Sequence, residues 1–191
     1  MALRIKRYLT SVNASNCYLC WCPRTKRAAI VDPAELTEQM REDIDQLGLS
    51  VEAILITHGH YDHDNAADEA VRLYGARLFA AIPKAGGEKV TEGLIITLGD
   101  EKLRVEQVPG HTADSVAFIG ETVAFVGDAL FAAAVGGTAG RDGFEQETSN
   151  VRDRILSLSP ATTLYPGHGP ATTVALERCF NPFFVGAFNK M

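Results

Sequence analysis

At 191 residues, with a formal net charge of −6, a hydrophobic fraction of 46% and a mean hydropathy near zero, the chain has the size and composition of one globular domain with a sizeable core. The acidic balance and the lack of a basic run argue against a nucleic-acid partner, and no apolar run reaches the ~20 residues of a membrane span. The N-terminal stretch Met1-Ala2-Leu3-Arg4-Ile5-Lys6-Arg7-Tyr8 interleaves charge with apolar residues and has no signal-peptide core, so a cytoplasmic location is expected.

Residues 3–9 predict a first strand and residues 17–22 a second, joined through Pro23-Arg24-Thr25-Lys26 to a third over 28–31. Alternate residues of a strand face opposite sides, which separates Cys17 from Cys20 and Cys22. Buried thiols are therefore expected there, not a chelate. Asp32-Pro33 has the chemistry of a helix start, and the helix that follows carries Leu36, Met40, Ile44 and Leu47 on one face and stops at Gly48. A β-branched run over 51–56 predicts a buried strand, after which Asp64-Asn65 can cap a helix over 66–74.

A strand over 76–80 comes next, then the loop Ala85-Gly86-Gly87-Glu88. Strands follow over 94–98, 103–108, 116–119 and 123–126. Residues 132–143 read as a small, flexible stretch, and 145–158 as a helix burying Val151, Ile155 and Leu158. A strand over 163–165 and a helix over 171–179 complete the order. Strands followed by βα units, twice over, suggest two similar halves; periodicity alone gives α/β or α+β.

All five histidines stand at strand ends. Three occur in Thr57-His58-Gly59-His60-Tyr61-Asp62-His63, His111 occurs in Val108-Pro109-Gly110-His111-Thr112, and His168 in Tyr165-Pro166-Gly167-His168-Gly169-Pro170. A further carboxylate, Asp128, follows Gly127 at the end of 123–126. A single histidine is more often a core or surface residue, but five in one kind of Gly-flanked setting point to a metal centre.

This pattern resembles the metallo-β-lactamase-fold hydrolase superfamily, whose signature His-x-His-x-Asp-His, distant His, Asp and final His is matched by His58, His60, Asp62, His63, His111, Asp128 and His168. Asn16-Cys17-Tyr18-Leu19 and Ile30-Val31-Asp32-Pro33 also look like its N-terminal strands. The resemblance implies a four-layer αβ/βα sandwich of two mixed sheets flanked by helices, formed as a single domain over 1–191 with no separate C-terminal substrate domain. It implies two divalent metal ions, with zinc first and iron or manganese also suited to imidazole and carboxylate donors. His58, His60 and His111 would hold one ion and Asp62, His63 and His168 the other. Asp128 and a hydroxide would bridge them, with Asp62 and Asp128 counted as catalytic. Asp32 resembles the family's carboxylate that fixes a ligand imidazole, an alternative to its role as helix cap.

Asp128 speaks against the lactamase branches, where Cys or Ser usually stands at that position. Asp62-His63 with Tyr165-Pro166-Gly167-His168-Gly169-Pro170 looks like glyoxalase II, the hydroxyacylglutathione hydrolases. Glu177-Arg178-Cys179-Phe180-Asn181-Pro182-Phe183 resembles a compact prokaryotic subgroup of them. The implied partner is a small-molecule acyl thioester. The loop Phe131-Ala132-Ala133-Ala134-Val135-Gly136-Gly137 lacks the basic and tyrosyl residues that grip glutathione in that family, which leaves the carrier open. A mononuclear-iron persulfide dioxygenase and a lactonase are the alternatives on the same fold. Lys84 and Arg141 read as solvated loop cations.

Overall fold

The computed structural model describes residues 2–84 and 86–188. Its elements run β1 (Arg4–Leu9), β2 (Asn16–Trp21), β3 (Arg27–Val31), α1 (Glu38–Leu47), β4 (Ser50–Leu55), α2 (Tyr61–Asp64), α3 (Ala67–Tyr74), β5 (Arg77–Ala80) and β6 (Glu88–Lys89) in the first half. The second half comprises β7 (Ile95–Leu98), β8 (Glu101–Gln107), β9 (Val116–Ile119), β10 (Val123–Gly127), β11 (Leu130–Phe131), β12 (Ala134–Val135), α4 (Gly140–Asn150), a π-helical turn (Val151–Ile155), β13 (Thr163–Pro166), β14 (Thr172–Thr173) and α5 (Val174–Phe180).

Each half folds into a mixed six-stranded sheet, ordered β1-β2-β3-β4-β5-β6 in one and β14-β13-β10-β9-β8-β7 in the other. Three apolar clusters separate four layers. Cys17, Leu19 and Ile54 on the outer face of the first sheet pack on Met40, Ile44, Ala67 and Ala70 of α1 and α3. Tyr18, Cys20, Val31 and Leu55 meet Leu103, Val105, Phe118 and Phe125 between the sheets. Ala117, Ala124 and Val126 meet Val151, Ile155 and Val174 outside the second sheet. The strict alternation Cys17, Tyr18, Leu19, Cys20 between two clusters follows from the two-residue period of a strand buried on both faces. It also places Cys17 and Cys20 on opposite sides, as expected. None of the described helices is long and apolar enough to cross a membrane.

Several expected boundaries shift, each for a local reason. The cap of α1 is Thr37, whose side chain accepts from the Met40 amide, and not Asp32; the helix stops at Gly48 in the left-handed conformation (φ 61°). Leu47 is exposed, because the buried face of α1 is carried by Met40 and Ile44. Asp64-Asn65 does not cap α3, whose N-cap is Ala66 with no side-chain bond. The Asn65 amide instead donates to the Ala34 carbonyl, and Asp64 pairs with Lys84. Of the loop at 85–88, Ala85 lies outside the described residues, while Glu88 enters an edge strand and pairs with Arg77. The stretch 132–143 is more ordered than its composition suggests, since β11 and β12 form a hairpin and α4 begins at Gly140. The helix expected over 145–158 thus starts earlier and widens into the π turn at Val151. Val151 and Ile155 are buried, whereas Leu158 is half-buried.

Candidate metal centre

Parallel pairing decides where the functional side chains emerge. β3 and β4 run parallel in the first sheet, and β10 and β13 run parallel in the second, so their carboxyl ends lie at common edges. The two edges are joined where the Val116 amide donates to the Thr57 carbonyl (2.8 Å) and the Asn16 amide to the Gly167 carbonyl (2.7 Å). Close approach requires glycine here. A Cβ at Gly127 (φ 52°) would collide with Thr57, and one at Gly167 would collide with Asp128 Oδ1 and His63 Cε1.

All seven expected side chains converge on this edge. His58 Nε2 and His111 Nε2 each lie 3.1 Å from His60 Nδ1, which forms an all-imidazole trio. His168 Nε2 lies 3.4 Å from Asp62 Oδ2, and these two with His63 form a second trio on the other side. Asp128 stands between them. Its Oδ1 is 3.3 Å from His63 Nε2, and its Oδ2 is 3.7 Å from His111 Nε2 and 3.5 Å from His168 Nε2. The short helix α2 redirects the chain at Tyr61, so that Asp62 and His63 reach His168 while His58 and His60 reach His111.

The surroundings of each ring fix its orientation. His58 Nδ1 lies 3.1 Å from Thr57 Oγ1, and His111 Nδ1 donates to the Gly137 carbonyl at 2.6 Å. Gly110 lies flush on the backbone of α4 at Glu147, and the Asn150 amide donates to the Pro109 carbonyl (2.7 Å), so the His111 loop rests on that helix. Asp32, left open between cap and orienting carboxylate, is fully committed to the centre. Its Oδ1 accepts from the Thr57 amide (2.8 Å), and its Oδ2 accepts from Thr57 Oγ1 (2.7 Å) and His63 Nδ1 (3.0 Å). It holds a left-handed backbone (φ 51°) to do so.

Electrostatics separates two adjacent imidazoles whose ring centroids are 4.2 Å apart. Burial, with the neighbouring His63, pushes His58 down to about 3. Burial acts the same way on His63 but is outweighed by the carboxylates of Asp128 and Asp32, which lift it to about 10. Burial would raise the Asp128 carboxyl, yet His63, His58 and His168 hold it below the usual carboxylate range. His63 Nε2 and Asp128 Oδ1 face each other without hydrogen-bond geometry, and neither buried atom has a hydrogen-bond partner. Opposed, buried and unsatisfied donor atoms fit a cation placed among them.

The groups His58–His60–His111, His58–His63–Asp128 and Asp62–His63–His168 each bring three donor atoms within 4.8 Å of one another and could hold a metal ion. Sequence reasoning missed the hydroxyl of Thr57, the amide of Asn13 (3.2 Å from Asp62 Oδ2) and the buried Glu147 behind Asp128. Only Thr57, beside the histidine cluster, gave a positional signal. The cations Lys84 and Arg141 are paired with Asp64 and Glu145.

The sequence profile of the metallo-beta-lactamase superfamily matches the chain over residues 10–85 and 68–168. The chain is 32% identical over 195 residues to the hydroxyacylglutathione hydrolase GloC of Haemophilus influenzae, covering 88% of this chain and 92% of that one. Its fold is similar to the crystal structure of the BLEG-1 B3 metallo-beta-lactamase, with a TM-score of 0.86 at 27% identity, over 96% of this chain and 100% of the other. It is also similar to TTHA1623, crystallised in a di-iron-bound form, with a TM-score of 0.78 at 28% identity, over 93% and 99% of the two chains.

Proposed function

The chain belongs to the metallo-beta-lactamase superfamily, and from that premise we propose that it hydrolyses a small-molecule acyl thioester of the hydroxyacylglutathione type with two divalent ions, zinc foremost and iron or manganese as substitutes. His58, His60 and His111 hold the first ion, Asp62, His63 and His168 the second, and Asp128 is shared. In this reading the whole chain acts as one domain. The observation that carries it is the position of Asp128, whose two oxygens face members of both trios while His63 Nε2 and Asp128 Oδ1 stay unsatisfied.

A bound pair of divalent ions supplies Lewis-acid polarisation of the carbonyl and lowers the pKa of water from about 15.7 toward ~7. The chain's own groups prepare for that. Asp32 holds His63 Nδ1, so that Nε2 points to the centre, and Gly137 does the same for His111. Asp128 and Asp32 favour the protonated form of His63, so binding of an ion at its Nε2 would release a proton there and depend on pH. The hydrolase name of the Haemophilus influenzae relative supports the thioester.

The test is a hydrolysis screen of the metal-loaded protein over hydroxyacylglutathione, other thioesters, lactones and a β-lactam, alongside metal analysis. Two ions per chain and fastest turnover on thioesters are expected. A faster lactone or β-lactam would overturn the substrate. One iron per chain, with oxygen consumed on a persulfide and no thioester cleaved, would replace the reading by the dioxygenase.

A further inference from the structure

The connection between β1 and β2, residues 10–15, is held far more firmly than a hairpin loop requires. The Thr10 amide donates to the Ser15 carbonyl (2.9 Å) and the Ser15 amide to the Val12 carbonyl (3.0 Å), and the hydroxyls of Thr10 and Ser15 lie 2.7 Å apart. Glu35 Oε2 accepts from both the amide (2.7 Å) and the hydroxyl (2.8 Å) of Ser11. The far end of the loop is tied to the segment carrying His168. Ser15 forms a β-bridge with His168, the Asn16 amide donates to the Gly167 carbonyl (2.7 Å), and Asn16 Nδ2 donates to the carbonyls of Pro166 and Gly169 (2.9 Å each).

At the tip of this loop two successive non-glycine residues, Asn13 and Ala14, both adopt φ 51°. A left-handed conformation is tolerated by asparagine and resisted by alanine, so the tip stores strain that the surrounding bonds hold in place. The outcome is the placement of one group. Asn13 Nδ2 donates to Asp62 Oδ2 at 3.2 Å, and that oxygen is the one 3.4 Å from His168 Nε2.

We propose that Asn13 is a positioning residue for the second metal cluster, fixing the Asp62 carboxylate so that its Oδ2 faces His168. The inference rests on the two-ion reading above. An uncharged donor suits this role, because it orients the carboxylate and leaves its negative charge for the ion. Carboxylates that bind metal are commonly hydrogen-bonded in turn, and loss of such a partner costs 10–100-fold in affinity.

The alternative is that asparagine stands here only because it accepts a left-handed backbone, and glycine separates the two. Asn13→Gly keeps the conformation and removes the amide, while Ala14→Gly relieves strain next door and removes no hydrogen bond of the metal cluster. Zinc titrated into metal-free protein against a chromophoric competitor should show two binding steps in the parent. In Asn13→Gly one step is expected to loosen by 10–100-fold while the other and the metal-free melting temperature hold. Ala14→Gly should bind as the parent does. Asn13→Asp, equally at home at this φ, turns the donor into an acceptor and should also loosen one step if Asn13→Gly folds poorly. Two parent-like steps in both Asn13 variants would overturn the proposal and spare the two-ion reading. A parent that binds a single ion would overturn both.

Discussion

The two trios of the centre are supported in different ways. Around His58, His60 and His111 the supports are neutral: a hydroxyl at Thr57, the Gly137 carbonyl, and a loop resting on α4. In the second trio Asp62 is held by the neutral Asn13 amide, but His63 is held ionically, lying between Asp32 and Asp128 with its side chain fully buried. Neutral hydrogen bonds orient a ring without altering its charge, whereas flanking carboxylates raise its affinity for any cation, proton included. The first trio is therefore sensitive to shape and the second to charge.

The largest effect should come from the residue common to both. Asp128→Asn keeps the side-chain volume but removes the charge and one good oxygen donor. We expect the folded variant to hold clearly fewer than two ions and to lose more than ~100-fold in turnover, beyond the 10–100-fold typical of an orienting partner. Metal content and thioesterase rate, measured beside His168→Ala under equal metal supply, check this. His168→Ala should empty mainly the second cluster. Near-normal turnover with both ions in Asp128→Asn would remove the link between the trios.

A smaller, one-sided effect is expected from Asp32→Asn. It should weaken one ion by roughly 10–100-fold and the other much less, because Asp32 bonds His63 directly and reaches the first trio only through the Thr57 hydroxyl beside His58. A two-step metal titration reads the difference. Equal weakening of both steps would erase the contrast between neutral and ionic support.

The smallest effect concerns the floor beneath His111. Burial, with Asp128 nearby, raises the Glu147 carboxyl from 4.5 to about 8, and neither of its oxygens has a hydrogen-bond partner. The folded state then keeps a proton that the unfolded chain releases above 4.5, so the stability associated with Glu147 is full below that pH and is lost as pH rises through about 8. Glu147→Gln removes this dependence. Metal-free Glu147→Gln should melt a few degrees above the parent near pH 8–9, at ~2–4 °C per kcal/mol for a chain of this size, with little difference near pH 5. An identical pH profile in the two proteins would contradict it.

The histidines and Asp128 were legible because strand-end position, glycine and metal-binding side chains coincide within a few residues of sequence. The strands were legible because alternation or a β-branched run marks them. Asp32 was ambiguous from sequence, since a carboxylate before proline at a strand end satisfies a helix start and an orienting role equally well. Its choice depends on Thr57 and His63, 25 and 31 positions away. The β11–β12 hairpin has two-residue strands, too short to carry any period. Asn13 gave no sign, because its contact to Asp62 spans 49 positions and exists only once β1 to β4 are assembled in the first sheet.

The centre draws His58, His60, Asp62 and His63 from one half of the chain and His111, Asp128 and His168 from the other. Any ion that engages both sets is a tether between the two sheets, and mass action makes its strength a function of the surrounding metal activity, growing as RT ln(1 + [M]/Kd). On the two-ion reading, metal supply would therefore set the stability of the folded chain as well as its turnover. Starvation for the ion would then reach the protein as opening along the seam between the sheets together with lost turnover.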